Sequence, residues 1–405
     1  MKKLFLAAAV MLIAASPAAA QEARYDDVVR NLRNPDPKLR LAALKLLHES
    51  KYPEAVAPIA PLVTDPVDDI QLEAIATELS FFLVEDVPAK RRVALFVEVR
   101  SAGGRAMNAF ELGPLAVWPR PVPPELVRNL IAAVDDENGR VRLEAIYALG
   151  TITRAPASDE TAQGLLKALD HYDPAIRAGA ARVAGRLQVA TAGDALVKAI
   201  NDSQAPVRYA AMRALGSIRA ERAVQAIAEQ FTFYGKGEGA WAALDALAHI
   251  AHPSSVPLFK QRLADRDAYL RRASAEGLAR AGDTSEIAAL EIGAGNDSSE
   301  MVRAAMAFAL QKLGKNYIPR LAEFLAHEKT APQVAAYLLE LGPAVAQPLV
   351  PLLQDSSAAI RSNVATVLGA IGGEAALPAL QPLTTDRDKD VIEAATRAIE
   401  RIKMK

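Results

Sequence analysis

The sequence predicts an all-α fold, a right-handed α-solenoid of about twelve helical hairpins. One pattern, clearest in Asp202–Gly216, returns about every 31 residues along the chain. No stretch shows the alternation of apolar and polar residues that marks a half-buried strand, and no strand-helix-strand rhythm stands out. A supersecondary unit repeated at a fixed period is typical of solenoids, in which each unit buries its apolar face against the next.

The pattern is described by offsets from Val207, which is position zero. Successive helical residues turn by about 100°, so Val207, Ala211 at plus four and Leu215 at plus eight share one buried face. We expect Gly216 at plus nine to end the helix as a left-handed cap. The residues at position zero are Leu39, Ile70, Gly104, Val141, Ile176, Val207, Gly239, Leu270, Val302, Gln333, Ile360 and Val391.

The start of the repeated helix is marked as well. Position minus three carries side chains that accept hydrogen bonds from the free amides of a first helical turn: Asp36, Asn138, Asp173, Asp267, Ser299, Ser357 and Asp388. A second amphipathic segment precedes each loop, for example Ala192–Ile200 and Glu221–Phe231. The repeating unit is therefore predicted to be helix, short turn, helix.

Residues 1–20 have the features of a secretory signal peptide. Lys2 and Lys3 precede a short apolar run, and small residues lead to an expected cleavage site after Ala20. The run is too short for a comfortable membrane span, so we expect no membrane insertion after cleavage and a periplasmic or secreted protein. The chain has no Cys, which excludes disulfides and thiolate metal ligands. Its formal net charge of -1 does not favour nucleic acid as a partner.

Residues 21–405 are predicted to form one solenoid with two irregular connections. The first is the Pro-rich segment 113–124, because proline cannot continue a helix. The second is residues 231–239, whose glycines do not form a phosphate-binding loop, since no strand precedes them and no Lys-Ser/Thr follows.

The repeated Asp-x4-[Val/Ile/Leu]-Arg-x2-Ala-x3-Leu-Gly of Asp136–Gly150 and Asp202–Gly216 resembles HEAT-like repeats of the phycobilisome-lyase type. The resemblance covers nearly all of residues 21–405 and implies an armadillo-type α-superhelix. It leaves function open, since that family includes chromophore lyases, metal-dependent hydroxylases and scaffolds that only bind.

Charged residues recur at fixed offsets. Arginine stands at plus one in Arg40, Arg105, Arg142, Arg177, Arg208, Arg271, Arg303 and Arg361. Aspartate stands at minus five in Asp65, Asp136, Asp202, Asp265, Asp297, Asp355 and Asp386. We interpret this as a structural ladder of ion pairs within or between repeats, with anion binding by the arginines as the alternative.

Few residues favour an enzyme. The hydroxylases of the resembling family hold iron with His-Glu pairs, and this chain has only two such pairs, at His48 and His327. Asp245, His249 and His252 have the spacing of a metal site on a helix, although Pro253 places the last at or beyond the helix end. We therefore predict no metal, no cofactor and no catalytic residue.

Apolar and aromatic side chains at plus two, plus five and plus six favour a different function. If these positions face the inner curve of the solenoid, they form a groove suited to a protein segment or peptide; the alternative is that they pack against adjacent repeats. The predicted binding residues are Tyr147, Tyr209, Met212, Trp241, Leu244 and Phe308. The sequence thus predicts an exported, non-catalytic scaffold or adaptor, with a metal- or cofactor-dependent enzyme or a chromophore-lyase-type protein as the alternative.

Overall fold

The computed structural model describes residues 25–85 and 104–405. The predicted signal peptide, residues 1–20, lies outside this range. The described residues form helices joined by short turns, with an isolated antiparallel bridge between Leu83 and Val117. The protein is an α-solenoid, as the repeat pattern predicts.

The repeated pattern forms the second helix of each hairpin. These helices are α1 (Pro37–Ser50), α2 (Asp68–Phe82), α3 (Arg105–Leu112), α4 (Gly139–Ile152), α5 (Pro174–Arg186), α6 (Ala205–Ser217), α7 (Gly237–Ile250), α8 (Ala268–Arg280), α9 (Glu300–Lys312), α10 (Ala331–Leu341), α11 (Ala358–Ile371) and α12 (Lys389–Lys403). The first helices, several of them beginning or ending in a 3-10 turn, span 25–31, 53–64, 124–133, 159–169, 190–199, 221–234, 253–262, 287–296, 318–325, 342–354 and 374–385.

The predicted caps at minus three start most of the second helices. The Asp173 side chain accepts from the Ala175 amide at 2.9 Å, which satisfies one of the free amides of the first turn of α5. The same type of bond is made by Asp36, Asn138, Asp267, Ser357 and Asp388, whereas Ser299 makes no side-chain cap.

The expectation for the glycine at plus nine is wrong. Gly216 lies inside α6, and the left-handed residue that follows the helix is Arg219, with φ 53°. A Cβ on Gly216 would stand 2.8 Å from the Cα of Ala246 in α7. The glycine is therefore needed because two second helices cross with their backbones nearly in contact. This close approach places the second helices on the inner side of the curve.

The structure departs from a regular repeat around α3. The predicted first helix of this copy, Val87–Arg100, lies outside the described residues. Gln71 of α2 donates to Asp136 at 2.7 Å, and Asn138 donates to Asp68, so the hairpins on either side of α3 stack directly on each other. Helix α3 instead packs against α4, and the Ala106 amide donates to Glu144 at 2.9 Å. The copy at Gly104 is therefore an insertion in the stack.

The far end of the chain returns to this insertion. Arg401 of α12 donates to the carbonyl of Leu115 at 2.7 Å, and its guanidinium lies 5.8 Å from the ring centroid of Trp118. Arg397 pairs with Glu85 at 2.5 Å. The Pro-rich connection begins with a 3-10 turn, Pro114–Ala116, and continues without helix to Pro123. It thus provides the surface on which the last helix closes the superhelix.

Candidate functional site

Four of the eight arginines at plus one form the predicted structural ladder. Arg177 donates through Nε and Nη2 to the two carboxylate oxygens of Asp202, at 2.8 and 3.1 Å, and through Nη1 to the carbonyls of His171 and Tyr172. Each such arginine closes the turn before its own helix and binds the next hairpin. The same two-sided geometry occurs in Arg40–Asp65, Arg271–Asp297 and Arg361–Asp386. These guanidinium groups are occupied, so the ladder is not an anion site.

The ladder changes between α6 and α7. Arg208 still closes its own turn, but its Nε donates to the hydroxyl of Tyr234 at 2.6 Å, because the chain has tyrosine where most copies have aspartate. Helix α7 has Ala240 at plus one, so it offers no guanidinium to Asp265, which pairs with Arg262 instead. Two consecutive junctions therefore lack the arginine–aspartate link.

An aromatic group occupies this interruption. The ring centroids of Tyr209 and Tyr234 are 5.6 Å apart, those of Phe233 and Tyr234 are 5.1 Å apart, and Trp241 stacks on Tyr269 at 4.2 Å. The Trp241 indole donates to Asp267 at 2.7 Å. The Phe233 side chain is 77% exposed and Tyr269 is 44% exposed. We call these five residues the aromatic edge.

The structure separates the predicted groove residues into two sets. Tyr209 and Trp241 are partly exposed members of the aromatic edge. Tyr147, Met212, Leu244 and Phe308 are buried, three of them completely, and none can line an open groove. The reason is the close crossing of the second helices, which covers these side chains; Phe308, for example, stacks on Tyr337 at 4.2 Å. For these four residues the packing alternative is correct.

The inner wall is instead lined by charged residues, which the sequence interpretation passed over. Position plus six holds Arg182, Arg213, Asp245 and the buried Glu276 in α5 to α8, and position plus ten holds Arg186, Ser217, His249 and Arg280 in the same helices. Positions plus two, plus six and plus ten lie on one face of the helix, since they are four residues apart. The recurrence of charged residues at these two offsets is visible in the sequence and could have indicated a charged inner wall.

Part of this wall is a closed ionic network. Arg272 donates to Asp245 at 2.9 Å and to Glu276 at 3.2 Å, while Arg280 pairs with Glu276 and, at 2.8 Å, with Glu340 of α10. Burial alone would lower the pKa of Arg272, but the carboxylates of Glu276 and Asp245 reverse this and hold that pKa above its ordinary value. These groups hold α7, α8 and α10 together.

A buried tyrosine belongs to the same network. The Tyr337 hydroxyl donates to Glu276 at 2.5 Å and accepts from Gln333 at 2.6 Å. Burial, reinforced by the charge of Glu276, raises the pKa of Tyr337 well above its ordinary value. The phenol therefore stays protonated and acts as a hydrogen-bond donor.

The three spaced residues of α7 do not converge. The His249 ring lies 2.8 Å from the Asp245 carbonyl and 3.9 Å from its carboxylate, which Arg272 already binds. His252 follows the left-handed Ala251 and contacts the Ser254 hydroxyl instead. Within residues 25–85 and 104–405, no three potential metal ligands gather in one place.

The two predicted histidine–glutamate sequence pairs, at His48 and His327, make contacts with other helices. His48 lies 3.3 Å from Glu73 of α2, and His327 lies 3.2 Å from Glu300 of α9. Each histidine therefore bridges to a neighbouring helix rather than to its sequence neighbour.

An open cavity of about 740 Å³ lies beside the network, at the ends of the second helices. Its walls come from α5, α6, α7, α8 and α10, so the curve of the solenoid brings distant hairpins to one space. We call it the inner channel; it is lined by Gly185, Arg186, Gln188, Ala190, Gly216, Ser217, Ile218, Arg219, His249, Arg280 and Glu340.

Two arginines of the inner channel have no charged partner. The Arg186 guanidinium lies 3.4 Å from the ring centroid of Phe110, and neither it nor the exposed Arg219 side chain forms an ion pair or hydrogen bond with another described residue. Burial lowers the pKa of Arg186 to about 10, against the opposing charge of Glu111. The channel therefore carries positive charge that the protein does not neutralise.

One helical run in the described part of the chain, Ala331–Gln354, has the length and mean hydropathy, 1.3, of a membrane span. Gly342, with φ 72°, turns the chain inside it, so the run comprises α10 and the first helix of the next hairpin. Core helices pass the same test of length and composition, and the run is weak evidence for a span.

Several solved structures resemble this chain, each with low identity. An engineered protein is 18% identical, with 94% of this chain and 98% of that chain covered and a TM-score of 0.31. The complex of CpcE and CpcF of phycocyanin lyase from Nostoc sp. PCC7120 is 19% identical, covering 73% of this chain and 91% of that chain with a TM-score of 0.38. Kap95p, in a structure with RanGDP, is 17% identical, covering 94% and 50% with a TM-score of 0.37.

No curated protein matches the chain. A family model does match, and its description is HEAT repeats. The matched segments are residues 162–232, 236–311 and 317–400, which together make up more than half of the chain and include α5 to α11 and most of α12. The chain belongs to the HEAT-repeat family.

Proposed function

We propose that this protein is an exported, non-catalytic scaffold that binds a protein partner on the inner side of its HEAT-repeat solenoid. The observation that carries the proposal is the aromatic edge. The two junctions of α7 lack the arginine–aspartate pair, as do the two junctions of α10, and those of α7 carry exposed aromatic surface. Exposed aromatic side chains on a rigid scaffold are typical of protein-binding sites.

The arrangement of the aromatic edge suits a partner's apolar side chain. Trp241 is held in place by its stacking on Tyr269 and by its hydrogen bond to Asp267, so its orientation is fixed before binding. Tyr234 is fixed in the same way by Arg208. A site whose side chains are already ordered loses less conformational entropy when a partner binds.

Export rests on residues 1–20 alone. Fractionation of the native cells and N-terminal sequencing of the mature protein test it, with Gln21 as the expected first residue. Recovery of uncleaved protein from the cytoplasm would contradict this part of the proposal.

Binding is tested by co-purification from the native cell envelope. Phe233→Ser and Tyr269→Ser remove exposed aromatic surface without opening the core, and Tyr209→Ala and Trp241→Ala remove the two sequence-predicted binding residues of the aromatic edge. Each should reduce recovery of the partner at least about fivefold. Tyr172→Ser is the control, because this side chain is 78% exposed but lies outside the aromatic edge.

Circular dichroism confirms that each variant remains folded. Equal partner recovery by the wild type and by folded Phe233→Ser and Tyr269→Ser variants would contradict the proposed site.

A further inference from the structure

A continuous stripe joins the aromatic edge to the inner channel. On α7 it runs from Trp241 through Asp245 to His249, and on α6 from Tyr209 through Arg213 to Ser217. Eight helical residues span about 12 Å, which is about the length of four residues of extended chain. An extended segment with an apolar residue at the aromatic edge therefore reaches the channel about four residues later.

The positive charge of the channel is not cancelled by nearby carboxylates. Glu340 pairs with Arg280 and lies 3.2 Å from the Lys312 ammonium, so it is already neutralised. Glu111 pairs with Arg182, and Asp245 pairs with Arg272. These bonds leave Arg186 and Arg219 as guanidinium groups that face the channel without a carboxylate.

A simpler role for these arginines is to complement the helix dipoles. Arg186 lies in the last turn of α5, and Arg219 follows the end of α6, where a positive charge is favourable. A dipole supplies only about half an elementary charge at its end, which leaves part of each guanidinium charge uncompensated. The helix dipoles thus explain why the arginines lie at these positions, but they do not compensate all of the guanidinium charge.

We infer that the inner channel receives the carboxylate of an acidic residue in the partner's extended segment, about four residues from the apolar residue bound at the aromatic edge. This inference rests on the proposed function. A guanidinium group matches a carboxylate in geometry and charge. The channel volume is that of a cleft for a small group or a short segment, and is too small for a folded domain.

The test uses a fluorescent peptide with leucine at its first position, glutamate at its fifth and serine or glycine elsewhere, beside an otherwise identical peptide with glutamine at the fifth. Fluorescence anisotropy should show the glutamate peptide binding about tenfold more tightly than the glutamine peptide at low salt. Arg186→Gln with Arg219→Gln should abolish this difference. Arg222→Gln is the control, because this arginine lies in an outer-layer turn, paired with Asp194.

Equal affinity of the two peptides for the wild type, or no binding of the glutamate peptide at millimolar concentration, would overturn the inference. The same variants in the co-purification experiment separate it from the proposed function. If the double arginine variant recovers the partner normally and Phe233→Ser does not, the proposed scaffold function is supported. The inferred binding of an acidic residue in the channel is then contradicted.

Discussion

Different side-chain bonds join neighbouring hairpins at the junction between α11 and α12 and at the junction between α6 and α7. In the first, Arg361 donates to both oxygens of Asp386, at 3.0 and 2.8 Å, and to the carbonyls of Asp355 and Ser356. In the second, Arg208 makes the same carbonyl bonds but donates across the junction to a neutral phenol, that of Tyr234. The bond within the hairpin is thus kept, and the bond between hairpins is the one that changes.

This difference shows which part of the repeat is free to vary. At both of these junctions the arginine gives the two turn carbonyls of its own hairpin a donor, although α7, with Ala240 at this position, forms without one. The link to the next hairpin can be an ion pair or an aromatic contact, since the glycine crossings already hold the helices together. A binding surface can therefore be placed at a junction without loss of the fold.

The largest expected effect is on the close glycine crossing that both junctions contain. A Cβ on Gly216 would stand 2.8 Å from the Cα of Ala246, and one on Gly369 would stand 2.7 Å from the Cα of Ala398. Gly216→Ala and Gly369→Ala must each push two helices apart and should lower the free energy of unfolding by about 1–3 kcal/mol. Urea denaturation measures this change.

Gly295→Ala is the control, because no atom beyond the adjacent residues and backbone of its own helix lies within 4 Å of its added Cβ. It should be neutral or stabilising by up to about 1 kcal/mol. A loss of stability at Gly295 as large as that at Gly216 would show that the crossings are not the cause.

The second prediction separates the two junctions. Arg361→Ala breaks four hydrogen bonds and leaves Asp386 without its partner, and we expect a cost of about 2–3 kcal/mol. Arg208→Ala leaves a phenol in place of a carboxylate and should cost about 1–2 kcal/mol. Equal losses in urea denaturation would mean that the ion pair stabilises its junction no more than the phenol does.

The third prediction concerns pH. The hydrogen bond from Arg361, with that from the Asp388 amide, holds the pKa of Asp386 below its ordinary value. Its contribution to stability is therefore complete above the unfolded pKa, about 3.9, and is lost as the pH falls below it toward the folded pKa. The difference in unfolding free energy between the wild type and Asp386→Asn should be smaller at pH 3 than at pH 7.

Tyr234→Phe is the counterpart at the other junction. It removes a hydroxyl and no carboxylate, so its effect on stability should be the same at the two pH values. An acid-sensitive difference for Tyr234→Phe as large as that for Asp386→Asn would contradict the contrast between the junctions.

Much of the fold could be predicted because it depends on contacts between neighbouring repeats. The offsets of Val207, Ala211 and Leu215 predicted the buried face of the helix, and the recurring aspartates and arginines predicted the ladder of ion pairs. The glycine at plus nine was misread, because a sequence does not tell whether glycine is needed for a positive φ or for a close crossing. The insertion around α3 was misread as a repeat, since its spacing matches the period while its packing does not.

The inner surface could be predicted only in part. Tyr209 and Trp241 were found because aromatic residues at plus two stand out in the sequence. The burial of Met212 and Leu244 depends on how closely the second helices cross. The inner channel depends on the total curvature that brings α5 near α10, which no single repeat encodes. The unpaired charge of Arg186 could be recognised only after every nearby carboxylate had been assigned its partner.

The smallest expected effect concerns a third kind of junction, which joins the end of the chain to the insertion. Arg401→Ala removes the bond to the Leu115 carbonyl and the contact with Trp118, both on the surface of an already folded stack. We expect a loss of about 1 kcal/mol in global stability, with faster amide hydrogen exchange confined to residues 113–118. Lys403→Ala is the control, because that side chain is exposed in the same helical turn. Unchanged exchange at residues 113–118 in the Arg401 variant would show that α12 does not hold the insertion, whereas faster exchange across α6 and α7 as well would show that closure stabilises the aromatic edge from a distance.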